Sequence, residues 1–221
     1  MKQFNKYWND YYKKNESPNF PSNFAKYCKK KFINKKTNIL EIGCGNGRDT
    51  IFFSKYFKKV TCLDRSKNAI KIINKNKKEN DIKNINTIVG DEKKIENLLK
   101  KNKFDLIYMR WFLHSIPMST ENYLFSVFSK LLSKKSVIAI EARTSNDNIK
   151  KNKKTKKISD LEYVSDGNHY RRLMDKDSFF EKIKDFGFEV IYKKESKNFS
   201  NLQVTNSNKN PSLIRLFLKK K

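Results

Sequence analysis

Ile39-Leu40-Glu41-Ile42-Gly43-Cys44-Gly45-Asn46-Gly47-Arg48-Asp49 is the stretch on which the fold turns. An apolar run breaks at three glycines, each two residues from the next, and a helical pattern resumes behind them. That order predicts strand, tight turn and helix. Glycine tolerates positive φ, and a turn without Cβ atoms lets a ligand lie against the backbone at the carboxyl end of a strand. The unpaired amides of the following helix add a partly positive rim. Glu41 is the informative residue. A central parallel strand is usually apolar throughout, and a lone carboxylate there is costly to bury unless something cationic meets it. A lysine or backbone amides would serve, but the neighbouring glycines point to a cationic ligand.

The spacing selects among ligands. A dinucleotide fingerprint, G-x-G-x-x-G or G-x-G-x-x-A, ends in a small residue that packs helix on strand around a pyrophosphate. Here Arg48 holds that position and the third glycine comes one residue early. With Glu41 ahead of it, the pattern resembles motif I of the class I S-adenosylmethionine-dependent methyltransferases. The resemblance implies an enzyme with a single domain over residues 1–221. Its fold would be α/β, a Rossmann-like, doubly wound, seven-stranded, mostly parallel sheet with an antiparallel C-terminal strand. It also implies S-adenosylmethionine as cofactor and S-adenosylhomocysteine as product, held at Glu41, Gly43, Gly45 and Gly47.

The 221 residues, 37% of them hydrophobic, suit one α/β domain with a full core. No apolar leader opens the chain and no aliphatic run approaches a membrane span, so a cytoplasmic protein is expected. Cys28, Cys44 and Cys62 are odd in number and lack C-x-x-C spacing; they read as reduced, buried side chains, with no metal site expected. The net charge of +27 suggests nucleic acid. Nearly all of it is lysine scattered among Asn and Ile, however, as a composition bias supplies, and lysine does not imitate the arginine forks that read bases.

The remaining elements fall into order around the glycine turn. Residues 1–36 carry a dense aromatic segment, Tyr7-Trp8, Tyr11-Tyr12, Phe20-Pro21 and Phe24, read as helices that pack on the sheet. The resemblance adds a lid role, with Tyr11, Tyr12 and Pro18 to Ser22 over the cofactor. Val60 to Asp64 is the second strand, and a carboxylate at its tip can accept both ribose hydroxyls of a nucleoside, which makes Asp64 the next cofactor residue. Ser66 is free to cap the helix behind it. The Gly90-Asp91 turn after the third strand would, by the resemblance, set Asp91 at the adenine amino group. Phe104 to Arg110 is the fourth strand and runs into Trp111-Phe112-Leu113-His114. Ser136 to Arg143 is the fifth, with Glu141 and Arg143 on one face and able to pair with each other. From Thr144 to about Asp166 no period is visible, and the lysine-dense Asn148 to Lys157 reads as a solvated loop. Residues 144–172 are therefore expected to form a loop over the acceptor site. It ends in Asp166-Gly167-Asn168-His169-Tyr170-Arg171-Arg172. Asp177 is read as the cap of a helix closed by Gly187, and the strands Phe188 to Tyr192 and Ser212 to Leu218 form a closing pair across a Lys193 to Pro211 connection.

Ligands of α/β folds bind outside the carboxyl ends of the strands, which gathers the candidate acceptor residues Arg110, Trp111, Arg143, Tyr170, Arg171 and Arg172. Arginine forks grip phosphate or carboxylate, so a small anionic acceptor is expected. The pattern is similar to small-molecule methyltransferases associated with polysaccharide or phospho-headgroup modification. His169, beside the arginines, or His114 would supply a general base. Two alternatives stand beside this reading. One is an RNA or DNA methyltransferase that uses the lysine-rich surface, although no Asn-Pro-Pro-Tyr-like motif follows the fourth strand. The other is a binding module without catalysis.

Overall fold

The computed structural model describes residues 2–14, 20–32, 37–151, 155–165, 169–200 and 210–221. Helices α1 (Lys2–Lys14) and α2 (Asn23–Phe32) precede an alternation of β1 (Asn38–Ile42), α3 (Arg48–Ser54), β2 (Lys59–Asp64), α4 (Lys67–Glu79), β3 (Ile85–Val89), α5 (Glu92–Lys101), β4 (Leu106–Arg110), α6 (Met118–Leu131) and β5 (Val137–Arg143). The short strands β6 (Lys156–Lys157), β7 (Glu162–Ser165) and β8 (His169–Arg172) follow, then α7 (Lys176–Asp185), β9 (Phe188–Ser196) and β10 (Leu213–Lys220). The main sheet has seven strands in the order β3-β2-β1-β4-β5-β10-β9. β10 runs antiparallel to both β5 and β9, and the other pairings are parallel. Strand order reverses between β1 and β4, the point at which open α/β sheets bind ligands.

The period of two sorts the central strands. Leu40 and Ile42 of β1 join Leu63, Ile107, Met109, Phe125 and Phe128 in one core, while Ile39 joins Phe24, Phe53, Cys62 and Tyr108 in another. Each core lies under helices, which is why the strands are apolar on both faces. It also places Glu41 on the Ile39 face. Ser66 caps α4 by accepting from the Ala69 amide at 3.1 Å. Cys28, Cys44 and Cys62 are buried and free. Among the described residues no helix is long and apolar enough to cross a membrane.

Three sequence expectations need correction. Residues 144–172 are not simply a loop: β6, β7 and β8 form a three-stranded antiparallel sheet. Its strands are too short, in lysine-rich sequence, for an alternation to be visible. The cap of α7 is Asp175, which accepts from the Ser178 amide at 3.1 Å, and Asp177 lies in the first turn. Glu141 pairs with Arg110 and Arg215, and Arg143 pairs with Asp147, so these two neighbours do not pair with each other. Parts of several expected features lie outside the described residues: 15–19 and 33–36 of the lid segment, 152–154 of the lysine run, Asp166-Gly167-Asn168, and 201–209 of the last connection.

Candidate active site

The carboxyl ends of the strands from β3 to β4 open on a cavity of about 370 Å³, within the range of small-ligand sites. At the β2 and β3 end it is lined by Asp64 and Asp91. Asp64 accepts the Gly45 amide at 2.9 Å and the Ser66 amide at 2.8 Å, so it braces the glycine turn. Each carboxylate oxygen keeps a further lone pair for a ligand hydroxyl. Burial lifts the Asp64 pKa, against the lowering effect of those amides. Asp91 also caps α5 through the Lys93 amide at 3.2 Å.

The turn needs its glycines for contact as well as φ. Gly43 and Gly45 have φ of 73° and 55°. A Cβ on Gly43 would sit 2.6 Å from Cδ2 of Phe112, and one on Gly45 would strike the Tyr12 hydroxyl, so α1 lies directly on the turn. Both glycines line the cavity; Gly47, packed against Ile73, caps α3 and does not.

Behind the turn stand Glu41 and Asp49. Glu41 is 4% exposed and accepts from the Thr50 hydroxyl at 2.5 Å, and no ion pair among the described residues includes it. Burial first, then the nearby Asp49, push its carboxyl well above the usual range. Asp49 accepts from the Ser22 amide and hydroxyl, both at 2.7 Å, and from the Tyr108 hydroxyl at 2.9 Å. Ser22 in turn accepts from the Ala25 amide at 3.0 Å, which ties the start of α2 to that of α3. Arg48 and Asp49 both line the cavity. One terminal nitrogen of Arg48 is buried without a described partner.

At the β4 end the lining turns basic and aromatic. Arg110 lies 3.2 Å from Glu141, whose second oxygen takes Arg215 at 2.7 Å. Trp111 has φ of 57°, uncommon for a bulky residue, and its amide is held by the Glu141 carbonyl at 2.8 Å. The ring lines the cavity, with the guanidinium groups of Arg110 and Arg143 at 4.8 and 5.7 Å from its centre. Arg143 is held by Asp147 at 3.2 Å and does not itself line the cavity.

Strand β8 supplies the far wall, and its alternation sorts the remaining candidates. His169 and Arg171 line the cavity; Tyr170 and Arg172 do not. The Tyr170 hydroxyl donates to Glu162 at 2.5 Å. Arg172 donates to the Ile116 carbonyl at 3.1 Å and pairs with Glu121, which also pairs with Lys182. Of the sequence-based acceptor set, Arg143 thus lies off the cavity, as do Tyr170 and Arg172, which face the opposite side of a strand that the sequence did not reveal. His114 is also off the cavity: it is buried, and its Nδ1 accepts the Arg143 amide at 3.2 Å. His169 stacks on Tyr7 with centres 4.2 Å apart and meets Trp8 edge-on at 4.9 Å. Burial, then Arg171 and Arg143, push its pKa down to about 2. Arg171 is 6% exposed, donates to the Ser115 hydroxyl at 2.9 Å and lies 5.6 Å from the Trp8 ring. Tyr11, the expected lid residue, lines the cavity with Tyr7, Trp8 and Tyr12. α1 is pinned at its other side by Asn9, whose carbonyl accepts from the Asn68 side chain at 2.9 Å. Tyr7, Trp8 and Ser115 were not singled out as site residues, since only the packing of β8 against α1 and against the turn after β4 brings them in.

The protein-family model described as "Methyltransferase domain" matches residues 33–178. A probable cobalt-precorrin-6B C(15)-methyltransferase (decarboxylating) of Methanococcus vannielii is 42% identical over 65 residues, 29% of this chain and 36% of that protein, so the match spans about a third of the curated relative's length. Among solved structures, the chain is similar to an S-adenosylmethionine-dependent methyltransferase of Anabaena variabilis, with 19% identity, a TM-score of 0.72, and coverage of 100% of this chain and 94% of the other. A second, from Clostridium acetobutylicum, gives 18% identity and a TM-score of 0.68 over 98% of each chain. A third is the 1,6-didemethyltoxoflavin-N1-methyltransferase of Burkholderia thailandensis, solved with 1,6-didemethyltoxoflavin and S-adenosylhomocysteine. It is 12% identical, with a TM-score of 0.64 over 90% of this chain and 76% of that one.

Proposed function

The chain belongs to the methyltransferase-domain family and is an S-adenosylmethionine-dependent methyltransferase, and on that premise we propose that its acceptor is a small molecule carrying a phosphate or carboxylate. One observation carries the anion. Among the described residues, six of the seven arginines lie against a carboxylate: Arg48 with Asp49, Arg65 with Glu92, Arg110 and Arg215 with Glu141, Arg143 with Asp147, and Arg172 with Glu121. Arg171 is the exception, and it is buried in the wall of the cavity with a hydroxyl as its hydrogen-bond partner. A buried cation without a counter-charge is costly, and a guanidinium fork matches phosphate and carboxylate geometry. Burial and then Arg143 hold its pKa below that of an ordinary guanidinium, against the raising effect of Tyr7 and Asp147.

The other half of the cavity fits the methyl donor. Glu41, a buried carboxylate without an ion pair among the described residues, suits a ligand that is cationic at its sulfonium and amino groups. Arg48, with a buried nitrogen lacking a described partner, suits that ligand's carboxylate. Asp64 would take the ribose hydroxyls and Asp91 the adenine amino group, with Gly43 and Gly45 admitting the ligand against the backbone and Tyr11 and Tyr12 covering it. When bound, S-adenosylmethionine supplies an electrophilic methyl group on sulfur. The chain's own part is alignment: Arg171 fixes the anion so that the acceptor atom approaches in line with the bond that breaks, and α1 keeps water out.

An acceptor hydroxyl or ammonium must also lose a proton. His169 is neutral and lines the cavity; burial first, then Arg171 and Arg143, hold its basicity down, and an anion seated at Arg171 offsets the second of these. Binding of the acceptor therefore makes His169 a better base. The test pairs calorimetry with transfer assays on phosphorylated and carboxylated hydroxy compounds. Arg171→Gln is expected to leave S-adenosylhomocysteine binding intact and to weaken the acceptor at least about tenfold, the loss of a charge-assisted pair. Equal acceptor affinity in wild type and variant would refute the anionic reading.

A further inference from the structure

We infer that the acceptor is a planar aromatic or heteroaromatic acid whose ring lodges among Tyr7, Trp8, His169 and Trp111 and whose acid group meets Arg171. The inference rests on the anionic-acceptor reading and narrows it. Helical spacing on α1 stacks Tyr7 with Tyr11, 6.3 Å apart and 24° from parallel, and Trp8 with Tyr12, 6.0 Å apart and also 24° from parallel. His169 continues the Tyr7 stack at 18° from parallel. The rings form two stacks set nearly at right angles, Tyr11–Tyr7–His169 and Trp8–Tyr12, with Trp8 edge-on to Tyr7, Tyr11 and His169. A core would bury such rings among aliphatic side chains, but these line a cavity whose aliphatic members are only Leu63 and Ile116 among the described residues.

Tyr7 and Trp8 are half-buried and Tyr11 is 37% exposed, so the rings present π surface to whatever enters. An aliphatic phosphate would leave that surface facing water. A planar ring would stack on it while its acid group reaches the Arg171 guanidinium, which lies 5.6 Å from the Trp8 ring. Trp111, brought to the β4 side of the cavity by its positive φ, adds a further face.

Both tryptophans of the chain, Trp8 and Trp111, line this cavity, so intrinsic emission reports its contents without a label. Wild-type protein saturated with S-adenosylhomocysteine is titrated with two pairs of probes matched in charge: 4-hydroxybenzoate against 4-hydroxybutyrate, and phenyl phosphate against propyl phosphate. The aromatic member of a pair is expected to bind at least about tenfold more tightly and to quench more strongly. Comparison of the pairs assigns carboxylate or phosphate. Trp8→Leu should bring the ratio close to one at unchanged affinity for S-adenosylhomocysteine, and the wild-type ratio stands alone if that variant does not fold. Equal affinity within each pair would overturn the aromatic inference and leave the anionic acceptor in place. Binding of S-adenosylhomocysteine with no binding of either pair would overturn the anionic reading, and this inference with it.

Discussion

The chain has two histidines, His114 and His169, so titration with acid isolates the part of the site on which the proton argument depends. A free imidazole titrates near about 6.5. Burial and the surrounding arginines hold both side chains well below that, His169 down to about 2. The unfolded chain therefore takes up two protons below about pH 6.5 that the folded chain does not, and folding stability falls as the pH drops. The slope is about 1.4 kcal/mol per pH unit for each histidine, so at about pH 5 each costs roughly 2 kcal/mol relative to neutral pH, a large share of a typical total of about 5–15 kcal/mol. Glu41 acts in the opposite direction. Its raised pKa gives a contribution that is fully present below the unfolded value and is lost as pH rises from there through the folded value, so a single stability curve would mix the two. Comparison with His169→Gln and His114→Asn removes that confusion. Between about pH 8 and pH 5, wild type should lose roughly 2 kcal/mol more than either variant in urea unfolding. Proton NMR of the imidazole rings should show no titration over the same range, and a bound aromatic acid should raise the His169 midpoint. A His169 ring in the free protein that titrates near about pH 6.5 would refute both its burial between cations and the argument that the acceptor switches on its basicity.

Two further outcomes follow from the buried charges. Glu41→Gln keeps an acceptor for the Thr50 hydroxyl but removes the carboxylate, so calorimetry should show a folded protein whose affinity for S-adenosylmethionine is at least about tenfold weaker; unchanged affinity would remove Glu41 from the cofactor site. Glu121→Ala strands Arg172 and Lys182, which close on Glu121 from β8 and α7. Loss of one partner of a buried pair costs about 3–5 kcal/mol, and thermal unfolding should move down accordingly, with Lys182→Met milder because Arg172 keeps its partner.

How much of this was legible depended on the range of the signal. The glycine turn, Glu41, Asp64 and the alternation of strands and helices are written in local periods of two and three to four, and the sheet follows from them. The charge partners are not local. Glu141 and Arg143 share a face of one strand, yet Glu141 is satisfied by Arg110 on β4 and Arg215 on β10, which only the sheet order brings beside it. The same holds for β8. Four residues, His169 to Arg172, cannot display an alternation against a lysine-rich background, so all four read as equivalent until the strand fixes two faces. His114 reads from the sequence as a candidate base, but its Nδ1 accepts the Arg143 amide and it lies behind the wall. Arg48 and Asp49, directly behind the turn, lie in the wall of the cavity.

The surface charge and the site charge are separate systems, and that separation gives the sharpest test of Arg171. In a chain whose 50 basic residues are overwhelmingly lysine, none of the seven arginines is exposed, and six lie against carboxylates. Lysine covers the outside, where a solvated point charge suffices; arginine occupies places where a planar donor must be desolvated and aimed. If Arg171 only supplied positive charge, lysine would replace it. If it holds an acid group by a two-pronged bond while also donating to Ser115, as the geometry implies, then Arg171→Lys should weaken aromatic-acid binding at least about fivefold, the loss of one charge-assisted hydrogen bond. Binding should fall by a comparable factor for carboxylate and phosphate probes, with S-adenosylhomocysteine affinity unchanged. Full retention of acceptor affinity in the lysine variant would mean that the site reads charge alone, and the case for a fixed acceptor orientation would fall with it.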